Sequence, residues 1–240
     1  MLALQASIGA LNDLADAAAD AGRKLAKPIP AGLVSRRMAS GVALGGLVAG
    51  VTLSAPSGVP TLLVAVAGVT LGYVYDLRLS RSGWSWLPLA LALPLLPVHA
   101  WLGATGTVPW SVVALVPIGM LAGAALAIAN ALADLERDRE AGSGTVVVLL
   151  GPTAARRVGA ALCLGTLVVA AALFPGGATT GIPLAPALAA GGGAAILAGT
   201  AVGWRGGAGR RQRAWELQAV GTALLGIGWI AAAALVPHAG

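Results

Sequence analysis

The sequence predicts an all-α protein, a bundle of helices that crosses a membrane several times, and three observations carry that prediction. Of the 240 residues 58% are hydrophobic and only 10% are charged, with a mean hydropathy of +0.86. Soluble domains carry about 25% charged residues, so an ordinary water-soluble domain is excluded. The apolar residues fall into separate stretches, each near the roughly 20 residues that a helix needs to cross the hydrocarbon core. The charged residues gather at or beside alternate connections. The filling is Leu, Val, Ala and 35 Gly, with one Phe, two Tyr and three Met, the palette of closely packed membrane helices, whose interfaces favour small residues.

Residues 1 to about 12 read as an apolar helix too short to span. No basic segment precedes Leu2 and no cleavage signature follows, so this is not a secretory signal peptide; Met1 reads as a late start within a helix, and a further helix is expected upstream. Spanning stretches follow at about 38–54, 61–77, 85–103, 111–131, 157–173, 182–203 and 215–236 with a window of roughly 19 residues. Connections 55–60, 104–110 and 174–181 and the tail 237–240 contain no Lys, Arg, Asp or Glu. The alternate connections hold Arg23, Lys24, Lys27, Arg36 and Arg37, then Arg78 and Arg81, then Arg137, Arg139, Arg156 and Arg157, and last Arg205, Arg210, Arg211 and Arg213, which are all fifteen basic residues. By the positive-inside rule that face is cytoplasmic and the C-terminus lies outside. The expectation is a multi-pass protein of the cell membrane, built as one domain over 1–240, whose net charge of +6 reports topology and not a nucleic-acid partner.

Two carboxylate runs share one spacing. NDLADAAAD supplies Asn12, Asp13, Asp16 and Asp20, and NALADLERD supplies Asn130, Asp134 and Asp138. In each, Asn is followed by Asp four and eight residues later, positions that stack along one face of a helix. Both runs occupy the C-terminal ends of helices running in the same direction, where the negative pole of the helix dipole favours a cation. Two such ends facing each other would form an acidic mouth. Carboxylates and an amide oxygen are hard ligands suited to Mg²⁺, which keeps several waters and completes its shell with substrate phosphates. Basic residues able to hold the outer oxygens of a diphosphate stand nearby in sequence: Lys24, Lys27, Arg36, Arg78, Arg81, Arg137 and Arg139. With an apolar cavity behind it, such a mouth fits a diphosphate head on a hydrocarbon tail.

These residues resemble the UbiA superfamily of intramembrane prenyltransferases, the 4-hydroxybenzoate polyprenyltransferase-like enzymes. The first family motif, NDxxDxxxD, is complete at Asn12, Asp13, Asp16 and Asp20, and a basic stretch leads to the segment KPIPAG at 27–32. The DxxxD motif is matched by Asp134 and Asp138, continued by Arg139, Gly142 and Thr145, while Tyr73, Tyr75, Arg78 and Arg81 resemble the family's Tyr-containing helix end. The chain departs from the pattern at Ala131, where an Asp often accompanies the Asn, and at Gly144, where a basic residue commonly precedes the Thr. The resemblance implies a UbiA-like bundle of nine helices, with eight present and the first partial. It further implies that Asp13, Asp16, Asp134 and Asp138 are catalytic and, with Asn12, Asp20 and Asn130, bind Mg²⁺ and a prenyl diphosphate. Tyr75 would join the basic residues in holding the substrate, and the acceptor would be aromatic or another small molecule.

Alternatives are a terpene cyclase of the same superfamily, a non-catalytic membrane fragment, and a transporter. Transport needs ionisable groups through the membrane depth, and the outer connections have none. The DG…AR run of phosphoalcohol transferases is also missing. His99 and Cys163 read as packed residues, the seven Trp mostly as interfacial anchors, and the Gly-rich stretches 191–193 and 206–209 as packing and loop features without the strand-to-helix setting of a phosphate loop.

Overall fold

The computed structural model describes residues 1–20 (backbone alone at 19 and 20), 27–175 and 184–234, and among these residues there are helices and turns but no strand. Seven helical segments are long and apolar enough to cross a membrane: Arg36–Ser57, Val59–Leu79, Leu87–Thr105, Trp110–Ala133, Pro152–Leu173, Leu184–Trp204 and Ala208–Ala234. Each contains or overlaps one of the apolar stretches read from the sequence. An eighth long helix, α1 (Leu2–Asp20), precedes them. It runs past residue 12 because NDLADAAAD is rich in Ala and holds no Gly or Pro, so the acidic motif itself is helical.

The chain divides into two compact units, one of Met1–Ser80 with His99–Thr107, the other of Arg81–Val98 with Val108–Gly240. In the first unit α1 packs on α2 (Arg36–Ser54) and α3 (Val59–Val74). Lipid tails are as apolar as Leu, so membrane helices associate through close packing and interhelical hydrogen bonds, and both are present here. A Cβ at Gly46 would lie 2.6 Å from the Ala3 carbonyl oxygen, and one at Gly72 would lie 2.8 Å from the Ile8 side chain. The buried Ser7 hydroxyl donates to the Ala43 carbonyl (2.5 Å) and shares a hydrogen bond with the Tyr73 hydroxyl (2.7 Å). Leu4, Ala65 and Val69 form the core between these contacts. The outward residues Met38, Val42, Leu44, Val48 and Leu53 of α2 are exposed, as a lipid-facing surface requires.

In the second unit the helices are α4 (Leu87–Ala92), the start of α5 (Leu95–Thr105), α6 (Trp110–Val113), α7 (Leu115–Ala133), α8 (Leu135–Glu140), α9 (Val146–Leu150), α10 (Pro152–Leu173), α11 (Leu184–Trp204) and α12 (Ala208–Ala234). The interruption between α4 and α5 falls at Pro94, which lacks an N–H and disfavours helical geometry in the residue before it. Helix α7 is the central element and packs on α4, α10 and α12. Helices α11 and α12 approach each other through Gly192, Gly199, Gly221 and Gly228. Trp229 is fully buried, with its indole N–H donating to the Ser111 carbonyl (3.0 Å) and its ring edge-on to Phe174 at 5.5 Å. It is a core residue and departs from the interfacial role read for the tryptophans as a group, because its N–H finds a partner inside the protein.

Candidate active site

The first acidic motif lies in the last turns of α1. One helical repeat apart, Asn12 and Asp16 share a face, and Asp13 is adjacent to it. Lys27 joins this face from a tight turn over 27–34. Ala31 N–H donates to the Lys27 carbonyl and Leu33 N–H to the Pro28 carbonyl (both 3.0 Å), and Gly32 has φ +72°, the left-handed conformation that favours glycine. The Lys27 ammonium then lies 3.3 Å from Asn12 Oδ1, 3.3 Å from Asp13 Oδ1 and 3.5 Å from Asp16 Oδ2. Three oxygens of the motif thus converge on one cation.

Beneath this face the end of α3 passes into a π-helical turn, Tyr75–Leu79, closed by Ser80 N–H donating to the Tyr75 carbonyl (2.8 Å). Such single turns re-aim side chains and recur at functional sites. Here the turn places Asp76, only 7% exposed, against Asn12, whose Nδ2 donates to Asp76 Oδ1 at 2.9 Å. Among the described residues Asp76 Oδ2 is buried without a hydrogen-bond partner. Asp76 belongs to neither motif, so the matched spacing does not reach it. The signal was available: a carboxylate inside a membrane-spanning segment is expensive and marks function.

The second motif lies in the other unit. Helix α7 ends at Ala133, Asp134 adopts φ −92° and ψ 5°, and α8 follows. Asp134 N–H still donates to the Asn130 carbonyl (3.1 Å) and Asp138 N–H to the Asp134 carbonyl (2.9 Å), so the three residues keep the spacing of successive helical turns across the break. Asp134 pairs with Arg137 at 2.8 Å. Gly142, at φ +64°, ends α8 in the left-handed cap position, and the chain turns back so that the buried Thr145 hydroxyl donates to Asp138 Oδ2 at 3.0 Å. Gly144 N–H donates to the Arg81 carbonyl (3.0 Å), which ties the loop carrying Arg81 to this turn.

Glu136 takes the buried Arg211 of α12 as its partner. Desolvation pushes the Glu136 carboxyl up, but the hydrogen bond and charge of Arg211 outweigh it and hold the group below the ordinary glutamate range. Arg211, read from sequence as a topology charge, therefore anchors α8 to α12.

Of the remaining candidates, Arg36, Arg78, Arg81 and Arg139 are exposed, and Tyr75 and Asn130 are half-buried. Lys24 lies outside the described residues, as does the side chain of Asp20. Among the described residues no three His, Cys, Asp or Glu side chains converge into a ready-made metal cage. The donors present, two carboxylates and an amide oxygen already gathered around a cation, are nonetheless the hard, incomplete oxygen set that suits Mg²⁺ retaining waters and substrate oxygens.

The model of the UbiA prenyltransferase family matches residues 1–220. The chain belongs to the UbiA prenyltransferase family. Solved structures agree on the fold. A UbiA homologue from Aeropyrum pernix K1, solved in its apo form, is 21% identical with a TM-score of 0.74, over 95% of this chain and 85% of that one. A UbiA homologue from Archaeoglobus fulgidus, bound to GPP and Mg²⁺, is 22% identical with a TM-score of 0.69, over 93% and 84%. A structure of digeranylgeranylglyceryl phosphate synthase in membranes is 17% identical with a TM-score of 0.68, over 96% and 82%. No curated protein matches the sequence. This UbiA chain is a multi-pass membrane protein, and its two aspartate motifs lie at the ends of α1 and α7.

Proposed function

We propose that this chain is a Mg²⁺-dependent intramembrane prenyltransferase that moves a prenyl group from its diphosphate to an aromatic or other small acceptor. The observation that carries the reading is the convergence of Asn12, Asp13 and Asp16 oxygens on one cationic centre at the end of a membrane helix. Membership of the family supports it, as does the Archaeoglobus fulgidus homologue solved with GPP and Mg²⁺. Asn12, Asp13, Asp16 and Asp20 from the first motif, and Asn130, Asp134 and Asp138 from the second, would hold the metal. Bound there, Mg²⁺ supplies neutralisation of charge on the departing diphosphate.

The chain's own groups do the rest. Lys24, Lys27, Arg36, Arg78, Arg81, Arg137 and Arg139 donate hydrogen bonds to the outer diphosphate oxygens, with Tyr75 alongside. The apolar helices receive the hydrocarbon tail and exclude the water that would capture the allylic cation. The C–O bond to diphosphate breaks with its electron pair leaving on oxygen, the acceptor forms the new bond to the prenyl carbon, and the acceptor releases a proton. We place the charged face in the cytoplasm, from the distribution of the fifteen basic residues.

The test is diphosphate release from prenyl diphosphates of several lengths, in membranes holding the wild type, Asp16→Asn or Asp134→Asn, with and without Mg²⁺. Release that requires Mg²⁺ and both aspartates, and a prenylated product once acceptor is added, is the expected result. Release with a cyclised hydrocarbon and no acceptor product would make the chain a cyclase, and no release under any condition would refute the enzyme reading.

A further inference from the structure

The Asn12 side chain presents a chemical choice that the motif alone does not settle. A carboxamide has one oxygen and one NH₂ group, and only the oxygen can face a cation. An aspartate offers an oxygen whichever way it turns, but an asparagine must be held. Two contacts from opposite sides hold it in the useful sense: Nδ2 donates to Asp76 Oδ1 at 2.9 Å, and Oδ1 accepts from the Lys27 ammonium at 3.3 Å. Reversing the amide would set NH₂ against the ammonium and oxygen against the carboxylate, losing both hydrogen bonds.

Asp76 is also costly where it stands. It is buried, and among the described residues its second oxygen has no hydrogen-bond partner. Buried carboxylates are ordinarily paired by every oxygen. Nor does it extend either aspartate motif, since it comes from the π-helical turn after α3. Among the described residues its hydrogen bond goes to the NH₂ of a motif asparagine.

Resting on the proposed function of this site, we propose that Asp76 is a positioning residue of the metal site, which fixes the Asn12 carboxamide with its oxygen toward the cation. Groups that orient metal ligands in this way typically change metal affinity about 10- to 100-fold when removed. The role is distinct from supplying charge, and the two are separable. Asp76→Asn keeps an acceptor oxygen for Asn12 Nδ2 while removing the charge; Asp76→Leu removes both.

The experiment is titration of the purified full chain in micelles with Mn²⁺ alone, a probe that shares the oxygen preference of Mg²⁺, followed by the electron paramagnetic resonance signal of the free ion. Helicity and thermal unfolding are recorded for every variant. Asp76→Leu is expected to weaken Mn²⁺ binding about 10- to 100-fold, and Asp76→Asn by less than about threefold. In an Asn12→Asp background the loss caused by Asp76→Leu should disappear or reverse, since the coupling runs through the amide and two facing carboxylates repel.

Asp76→Leu binding as tightly as the wild type would overturn the proposal. So would equal losses in Asp76→Asn and Asp76→Leu, which would make Asp76 a charge and not a support. Should Asp76→Leu fail to fold, a tenfold loss in Asp76→Asn alone overturns it. Absence of Mn²⁺ binding by the wild type refutes the metal-site reading itself, an outcome recognisably different from the others.

Discussion

A methyl group at Gly221 tests how α11 and α12 are held together. A Cβ there would lie 2.6 Å from the Gly192 carbonyl oxygen and 2.8 Å from the Ile196 nitrogen, where ordinary contact begins near 3.4 Å. Both are backbone atoms, so the neighbour cannot rotate aside, and the helices must separate by about 0.8 Å, the difference between those distances. Overpacking of this kind costs about 1–3 kcal/mol, against up to about 1 kcal/mol gained when Ala replaces Gly within a helix. Gly221→Ala is therefore expected to lose up to about 2 kcal/mol.

Gly226, in the same helix, has open space at its Cβ, so Gly226→Ala should gain up to about 1 kcal/mol. A Cβ at Gly192 would meet the Gly221 oxygen at 2.5 Å, so once one methyl has parted the helices the second costs less, and Gly192→Ala with Gly221→Ala should fall short of additivity by about 0.5 kcal/mol or more. The assay is equilibrium unfolding in mixed micelles, followed by circular dichroism. Equal stability of Gly221→Ala and Gly226→Ala would refute the close approach.

Lys27→Met should raise the KM for prenyl diphosphate about tenfold or more at saturating Mg²⁺, the worth of one charge-assisted hydrogen bond, with kcat largely kept; substrate titration in membranes checks it. Thr145→Val keeps the buried shape but removes the donor to Asp138 Oδ2, and should cost about 1–2 kcal/mol in the same unfolding assay. Trp229→Phe strands the Ser111 carbonyl and leaves a small cavity, for about 1–3 kcal/mol. Glu136, held below the usual glutamate range chiefly by Arg211 against its desolvation, contributes stability that is complete above the unfolded-state value and is lost as pH falls through the folded one. Unfolding midpoints should therefore drop below about pH 4 more in the wild type than in Glu136→Gln.

The spanning helices were legible because the hydrocarbon core imposes a length, and because the basic residues fall at or beside alternate connections of the sequence. The motif aspartates stand out in the sequence as candidates because two equal spacings in one apolar chain are hard to produce by packing alone. Asp76 was not, since one acid next to a tyrosine has no spacing to match, and its meaning depends on Asn12, 64 positions away. Trp229 was misplaced for a related reason: a window sees an aromatic near a helix end, while the Ser111 carbonyl that lets it turn inward is 118 positions distant. The break at Asp134 was hidden because its ladder of hydrogen bonds continues through it.

The ammonium among Asn12, Asp13 and Asp16 changes what this helix end requires in order to fold. Two carboxylates at the end of a membrane helix repel each other, and in many small metalloproteins only the ion relieves that strain, so that folding waits for loading. Here an internal cation, delivered by the tight turn over 27–34, is already seated. The helix end therefore needs no metal ion to assemble, and under the proposed function a chelator should silence the site while leaving the bundle standing.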